Sequence, residues 1–321
     1  MSARRSQRGI ALLTAIILVA LATIIAAAVS WQSALHARRG IAVFTMTQSL
    51  AFAQLAEAYA GFILRQNRSK FPHDTNPTQD WAKPYGPTEV DAGTVLEGSI
   101  EDQAGKFNLN SLVNQPNPGG PLVVNNAAVS EFRVLLESLG IDVKYVARLI
   151  DWLDSDDQPT SLGGAEDSYY LAQDPPYRTL NMSLTSVSEL LAMGMDRASY
   201  DKLRNLVTAL PPDTKLNLCT APGEVLDALA GQSSYALNPQ QLAQQRQQFP
   251  CFPDVKTFMN GLTSMTPALK QALQAQVDVT SNYFRLRTWI TIGTTRFTLY
   301  SLLEQDGSGQ IRPILRTFGT E

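Results

Sequence analysis

Three features of this chain predict an α+β fold: a long N-terminal helix packed on a small antiparallel sheet, with a large all-α domain inserted into that sheet. The first is residues 10–71, which hold no proline and place apolar residues at spacings of three and four, so they read as one continuous helix. The second is the C-terminal stretch 282–321, rich in aromatic and β-branched residues and punctuated by turns at Gly293-Thr294 and Asp306-Gly307-Ser308-Gly309. The third is the helical period of nearly everything from 113 to 281. This block separates those C-terminal strands from the strand-like residues 95–102, the partner their sheet needs.

The N-terminal helix begins in unusual company. Arg4, Arg5 and Arg8 lead to Gly9, and then residues 10–29 contain only Thr14 and Thr23 as polar members. Twenty helical residues rise about 30 Å, the thickness of a hydrocarbon core, so residues 10–30 read as a transmembrane span. Three readings of this start compete. A secretory signal fits the small residues Ala26 and Ala28, but its apolar core is normally shorter. An uncleaved anchor is the second, and a cut between Gly9 and Ile10 is the third. The uninterrupted helix favours the third. Beyond the span, Leu50, Phe52, Ala53, Leu55, Ala56, Tyr59, Phe62 and Ile63 predict an apolar stripe, and the helix is expected over 10–68.

Residues 69–93 are polar and broken by Pro72, Pro77, Pro84 and Pro87, which reads as a connection. A sheet segment is expected over 94–112, then a turn-dense loop over 114–120. In the inserted block, Phe132, Leu135, Leu136 and Leu139 form a buried stripe that Gly140 ends. Asp142 is placed to start a second helix through Val146, Leu149 and Leu153. Ser186 and Glu189 form a capping-box pattern, and further helices are expected over 199–210, 223–229, 240–248 and 255–262. The sheet then resumes over 282–321.

Composition excludes several functions. The chain has 321 residues, 44% hydrophobic and 17% charged, with a net charge of −3, and no cluster of Lys and Arg lies outside the leader, so nucleic acid is not an expected partner. A helix-hairpin-helix shape around Leu190-Leu191-Ala192-Met193-Gly194 is a rival reading, set against the block's acidity. The two histidines, His36 and His73, leave little for a zinc site or a Ser-His-Asp hydrolase. The two cysteines, Cys219 and Cys251, form one disulfide in an oxidising compartment or stay as buried thiols in a reducing one.

The chemically loudest stretch is Asp151-Trp152-Leu153-Asp154-Ser155-Asp156-Asp157, followed by Gly164-Ala165-Glu166-Asp167. Six carboxylates in seventeen residues repel one another unless a cation sits among them, and calcium suits a flexible loop of oxygen ligands. The loop is not an EF-hand: counting from Asp154, Pro159 stands where glycine is required and Ala165 where glutamate is. A solvated acidic loop is the bland alternative. A general acid/base pair, as in a membrane-anchored enzyme, is another, but the crowding sets no acid apart from a base.

Arg8-Gly9 followed by Ile10-Ala11-Leu12-Leu13 and a long helix resembles type IV pilin-like proteins, whose prepilin peptidase cuts after the glycine and methylates the new N-terminus. The resemblance marks Gly9 and Ile10 as a processing site. Such proteins usually carry a glutamate fifth from the cut, pairing with the terminal amine of a neighbouring subunit, and here that position is Thr14. Its absence points to a place where the link is not required, such as a filament end. With the acidic run, Tyr169, Tyr177-Arg178, Asn181 and Leu216-Asn217-Leu218-Cys219-Thr220-Ala221, the whole chain resembles the protein K family of type II secretion systems. That resemblance implies a non-enzymatic minor pseudopilin, single-pass in a bacterial inner membrane with its soluble part in the periplasm. The implied partners are minor pseudopilins I and J, with H as a further candidate, and the major pseudopilin G. Together they would initiate and cap the pseudopilus that exports folded proteins across the outer membrane. It also implies calcium in the inserted domain, on Asp154, Asp156, Asp157, Glu166 and Asp167, with Asp151 beside them.

Overall fold

The computed structural model describes residues 6–114, 122–161, 163–231, 234–263 and 265–319. Arg4, Arg5 and most of the turn-dense stretch after Asn114 lie outside these residues, and of Gly9 only the backbone is described. Ser6–Lys70 forms one 65-residue helix, α1, about 100 Å long. Strands β1 (Tyr85–Asp91) and β2 (Thr94–Asp102) follow, and the chain then leaves for a largely helical unit. That unit contains α2 (Asn126–Ser138), α3 (Lys144–Leu153), α4 (Asp167–Tyr170), α5 (Glu189–Ala192) and α6 (Arg197–Leu203). It continues through α7 (Gly223–Ala230), α8 (Pro239–Gln248), α9 (Val255–Gly261) and α10 (Pro267–Gln276).

Three short strand pairs stitch the unit together: β3 (Phe107–Asn108) with β6 (Val207–Thr208), β4 (Val113–Asn114) with β5 (Val123–Val124), and β7 (Leu216–Asn217) with β8 (Val277–Asp278). Strands β9 (Tyr283–Ile292), β10 (Thr295–Gln305) and β11 (Ile311–Phe318) return to the main sheet, which is antiparallel in the order β1-β2-β9-β10-β11. Since β2 and β9 are neighbours, with Asp102 opposite Phe284, the helical unit is inserted between adjacent strands.

One face of the sheet buries the lower half of α1. Ser49, Ala53, Ala56, Glu57, Ala60, Gly61 and Leu64 of the helix are buried on this side, where the apolar ones meet Leu96, Ile100, Phe284, Leu286, Ile290, Leu299 and Leu303. The stripe has the expected spacing and includes the expected Ala53 and Ala56, with Phe52 and Ile63 packed beside them, but not the other large side chains. Leu55 at 52%, Tyr59 at 48% and Phe62 at 53% relative exposure point away from the sheet. Small side chains win the contact because they let the helix axis approach the strands: a Cβ on Gly61 would already touch Ile311 at 3.5 Å. Glu57 is nonetheless buried, its carboxylate gripped by Arg316 at 2.7 and 2.8 Å and by the Ser301 hydroxyl at 2.7 Å.

Two segments differ from expectation. Residues 85–91, read as linker, form edge strand β1, whose Pro87 and exposed side chains are what an edge tolerates and a central strand does not. Residues 103–112, read as sheet, instead enter the helical unit's core through Phe107, Leu109 and Leu112, packed with Phe132, Leu135, Leu149 and Leu203. The helix predicted over 199–210 stops at Leu203, because Val207 and Thr208 pair with β3, and α10 has no counterpart among the expected helices.

The two parts meet at a polar neck. The buried Asp102 Oδ2 accepts from Thr220 Oγ1 and Ser281 Oγ, both at 2.6 Å, and from Asn217 Nδ2 at 3.0 Å, while Oδ1 accepts from the Ala104 N–H at 2.9 Å. The Asn217 amide also reaches Thr75 O at 2.8 Å. Gly105 is needed there because a Cβ would collide with Thr220. Next to the neck, Cys219 and Cys251 form a disulfide across 32 residues, and Arg246 of α8 donates to Leu218 O at 3.0 Å, Ala221 O at 2.7 Å and Phe252 O at 2.8 Å.

Replacing Asp102 by alanine strands two hydroxyls and an amide in the neck, and we expect a loss of about 3 kcal/mol, read as a lower urea midpoint at unchanged slope. Ser281→Ala, which removes one donor, should lose about 1 kcal/mol. Reducing the disulfide should lower stability by about 3–4 kcal/mol through the freed loop, measured as the difference in unfolding midpoint with and without reductant.

Candidate functional site

The acidic loop is built on the end of α3. The face of α3 that carries Val146, Leu149, Ile150 and Leu153 into the core also carries Asp151 inward, and its carboxylate is fully buried. It does not face a void. Oδ1 accepts from the Thr160 N–H and Oδ2 from the Ala165 N–H, both at 2.8 Å, so Asp151 folds the loop back on itself. Gly164 is required because a Cβ there would run into that carboxylate.

Folding the loop this way converges three other acids. One carboxylate oxygen from each of Asp154, Asp156 and Glu166 lies within 4.8 Å of the others. Glu166 is only 2% exposed, yet neither of its oxygens has a hydrogen-bond partner, and Asp154 Oδ1 is likewise buried and unpartnered. Burial, and then the charges of Asp151, Asp154, Asp156 and Asp157, push the Glu166 carboxyl up to about 7. Burial and the neighbouring Asp156 and Asp151 raise Asp154 to about 6. Carboxylates with ordinary pKa values near 4 do not share a dry site unless a proton or a cation joins them.

The remaining expected ligands are placed differently. Asp157 is exposed and contributes repulsion at Glu166. Asp167 turns to the next loop, accepting from Arg178 Nη1 at 3.1 Å and from the Thr179 N–H and hydroxyl at 3.0 Å. Asn181 is a residue the sequence did not single out as a ligand. It adopts a left-handed backbone at φ 48°, its amide lies 3.4 Å from the Asp156 carbonyl, and its Oδ1 is buried without a partner. A non-glycine residue in that conformation signals a held position, and no sequence pattern announces it.

The donor set fits a hard cation. It offers carboxylate oxygens from Asp154, Asp156 and Glu166, those of Glu166 and one of Asp154 desolvated and unsatisfied.

At the other end of the molecule, the apolar residues of α1 from Ile10 to Val29 are exposed throughout, and this helix is long and apolar enough to cross a membrane. Thr14 donates its hydroxyl to Ala11 O at 3.0 Å and Thr23 to Ala20 O at 2.8 Å, so each satisfies itself within the helix.

Comparison with known proteins places this architecture. A family model described as type II secretion system protein K matches residues 105–212. Type II secretion system protein K of Pseudomonas aeruginosa is 33% identical over 98% of this chain and 94% of its own length. The Klebsiella pneumoniae protein is 32% identical, again over 98% and 94%, and the Pectobacterium carotovorum protein is 30% identical over 98% of each. A solved structure, that of the GspK–GspI–GspJ complex from the enterotoxigenic Escherichia coli type 2 secretion system, superposes with a TM-score of 0.74 at 27% identity. It covers 88% of this chain and 100% of the matched one. With relatives matched across nearly their whole length and the same α+β fold, this chain belongs to the protein K family of type II secretion systems.

Proposed function

We propose that this chain is a non-enzymatic minor pseudopilin that works at the tip of a periplasmic pseudopilus. It assembles there with minor pseudopilins I and J, and with H, above a shaft of the major pseudopilin G. Prepilin peptidase cuts between Gly9 and Ile10, the new N-terminus is methylated, and residues 10–30 anchor the chain in the inner membrane with the rest in the periplasm. The observation that carries this reading is the helical unit inserted between β2 and β9. A subunit within the shaft must leave room for the next one above it, and a head of this bulk would obstruct that stacking. Thr14 supports the same place: its self-satisfied hydroxyl offers no charge to a neighbour's amine. The matched structure of a GspK–GspI–GspJ complex supports the choice of partners.

Purifying the full chain with I and J should yield one copy of each in a stable complex. Gold labelling of the chain on assembled pseudopili should mark a single end. Labels repeating along the stalk would overturn the tip role.

The acidic loop is assigned to calcium. Asp154, Asp156 and Glu166 supply its carboxylates and Asn181 an amide oxygen, while Asp151 shapes the loop and Asp157 and Asp167 flank it. A bound calcium supplies the positive charge that offsets their repulsion and ties residues 154–166 to the loop carrying Asn181.

Calcium at a hundredfold excess over its dissociation constant should stabilise the chain by about 2.7 kcal/mol, seen as a higher melting midpoint that a chelator reverses. The sign with pH follows from the raised carboxyls of Asp154 and Glu166. Without calcium, the folded state holds these two protons more tightly than the unfolded one, so the contribution of these two carboxyls to stability is fullest below about pH 4 and falls as pH rises through 6 to 7. The calcium effect should run the opposite way, largest above pH 7 and lost on acidification. In Glu166→Gln the calcium shift should vanish, while the metal-free variant should be more stable than the metal-free parent at pH 8. An unchanged calcium shift in this variant would remove Glu166 from the site.

A further inference from the structure

Beyond its apolar span, α1 carries charge of one sign only. Between Ile10 and Glu57 the charged side chains are Arg38 and Arg39, with His36 beside them, and Glu57 is the first carboxylate of the chain. It stands about 27 Å past Arg39 along the helix, and Arg316 already takes up its charge. Arg38 and Arg39 are both exposed. Among the described residues, neither has a hydrogen bond, ion pair or ring contact within the chain.

Their height along the helix decides what they meet. The span over 10–30 fills a hydrocarbon core of about 30 Å, and the headgroup layer adds about 5–7 Å on each side. Trp31, 68% exposed, falls at the start of that layer, where tryptophan is favoured. Arg38 and Arg39 leave the helix about 12–14 Å beyond the core. Helical side chains lean toward the N-terminus, which here is toward the bilayer, and a long arginine stem carries the guanidinium back to the level of the phosphates.

Topology does not account for the pair. Lys and Arg normally gather on the cytoplasmic side, where Arg4, Arg5 and Arg8 lie, whereas residues 38 and 39 follow the span on its far side. A single carboxylate on a neighbouring helix does not account for it either, because consecutive helical residues point about 100° apart and the two guanidiniums face different neighbours. Headgroups surround a helix on every side. Given the anchoring of residues 10–30 proposed above, we propose that Arg38 and Arg39 bind the phosphates of anionic phospholipids in the periplasmic leaflet, and so fix the depth at which α1 sits in the bilayer.

The test uses the full chain in vesicles of phosphatidylcholine and phosphatidylglycerol, in which one lipid or the other carries bromine atoms near its headgroup. Contact quenching of Trp31, two turns from Arg38 on the same face, reads the lipids beside it and not those around the leader. Trp31→Phe gives the background from Trp81, Trp152 and Trp289. At equal content, brominated phosphatidylglycerol should quench more than brominated phosphatidylcholine, through an enrichment of about fivefold for each arginine that declines as salt rises. In Arg38→Gln/Arg39→Gln the two lipids should quench alike at an unchanged melting midpoint, since both side chains are exposed and carry no core packing. Equal quenching in the parent chain, or an anionic preference that survives in the double variant, would overturn the proposal and leave the anchoring standing. Absence of quenching by either lipid would mean that the helix is outside the bilayer, and the anchoring would fall together with this proposal. Equal quenching combined with a weaker complex between the double variant and minor pseudopilins I and J would overturn it in favour of carboxylates on a partner.

Discussion

The molecule depends on one buried carboxylate. Asp102 is the last residue of β2, where the chain leaves the sheet, and its donors come from Asn217, Thr220 and Ser281, the last of these just before the chain re-enters it. An insertion between two adjacent strands has to begin and end within a few ångströms, and a polar knot can set that spacing where apolar contacts cannot. Hydrogen bonds are directional, and a charge in a dry site tolerates no lost partner. The knot also draws in Thr75, whose N–H bonds Val279 O at 2.8 Å, so the segment that leaves α1 is tied to the same point. The helix, the sheet and the inserted unit therefore meet at one residue, with the disulfide at Cys219 two positions from Asn217.

Buried acids in this chain fall into two kinds, and the difference is chemical. Asp102, Asp151 and Glu57 are each met by several donors, and each fixes a junction: strand to insertion, loop to helix, and helix to sheet. Glu166 and the inner oxygen of Asp154 are met by none. Desolvation costs the same in both settings, but only the first group recovers it from the protein. The loop thus gathers unpartnered carboxylates beside one another, while Asp151 holds it in that shape. That is the physical ground for assigning the loop to a cation.

Much of the architecture was legible because its signals are local and periodic. The long helix, the hairpin at Gly293-Thr294 and the stripe from Phe132 to Leu136 follow from spacing alone. What misled was tertiary. Residues 107–112 alternate like a strand, yet their apolar side chains are claimed by a different core. β1 carries Pro87 and so reads as linker, because an edge strand has a free side on which no N–H is needed. On α1 the sequence shows that an apolar stripe exists but not which side of it the sheet takes. At the acidic loop, composition marked the cluster of acids, but it could not separate those that hold the loop's shape from those that converge. That distinction lies in hydrogen bonds to Thr160, Ala165 and Thr179, which no spacing encodes.

The choice of side on α1 bears on assembly. Packing the sheet on alanines leaves Leu55, Tyr59 and Phe62 exposed beside the sheet. Ile41, Val43 and Phe44 are exposed on the stretch between the sheet and the membrane span. Solvent does not favour so much large apolar surface along one helix, and other helices of the same kind are the natural cover for it. The helix thus offers the means to join a bundle along its length, while the opposite end carries a head fixed rigidly by the Asp102 knot. The proposed tip role needs no more than this: a rod that associates sideways below and is blocked above is added to a fibre once. On the tip role proposed above, membership and termination come from two separable features of one chain, the outward face of α1 and the insertion at β2, and Thr14, its hydroxyl bonded within the helix, offers no charge to a neighbour's amine.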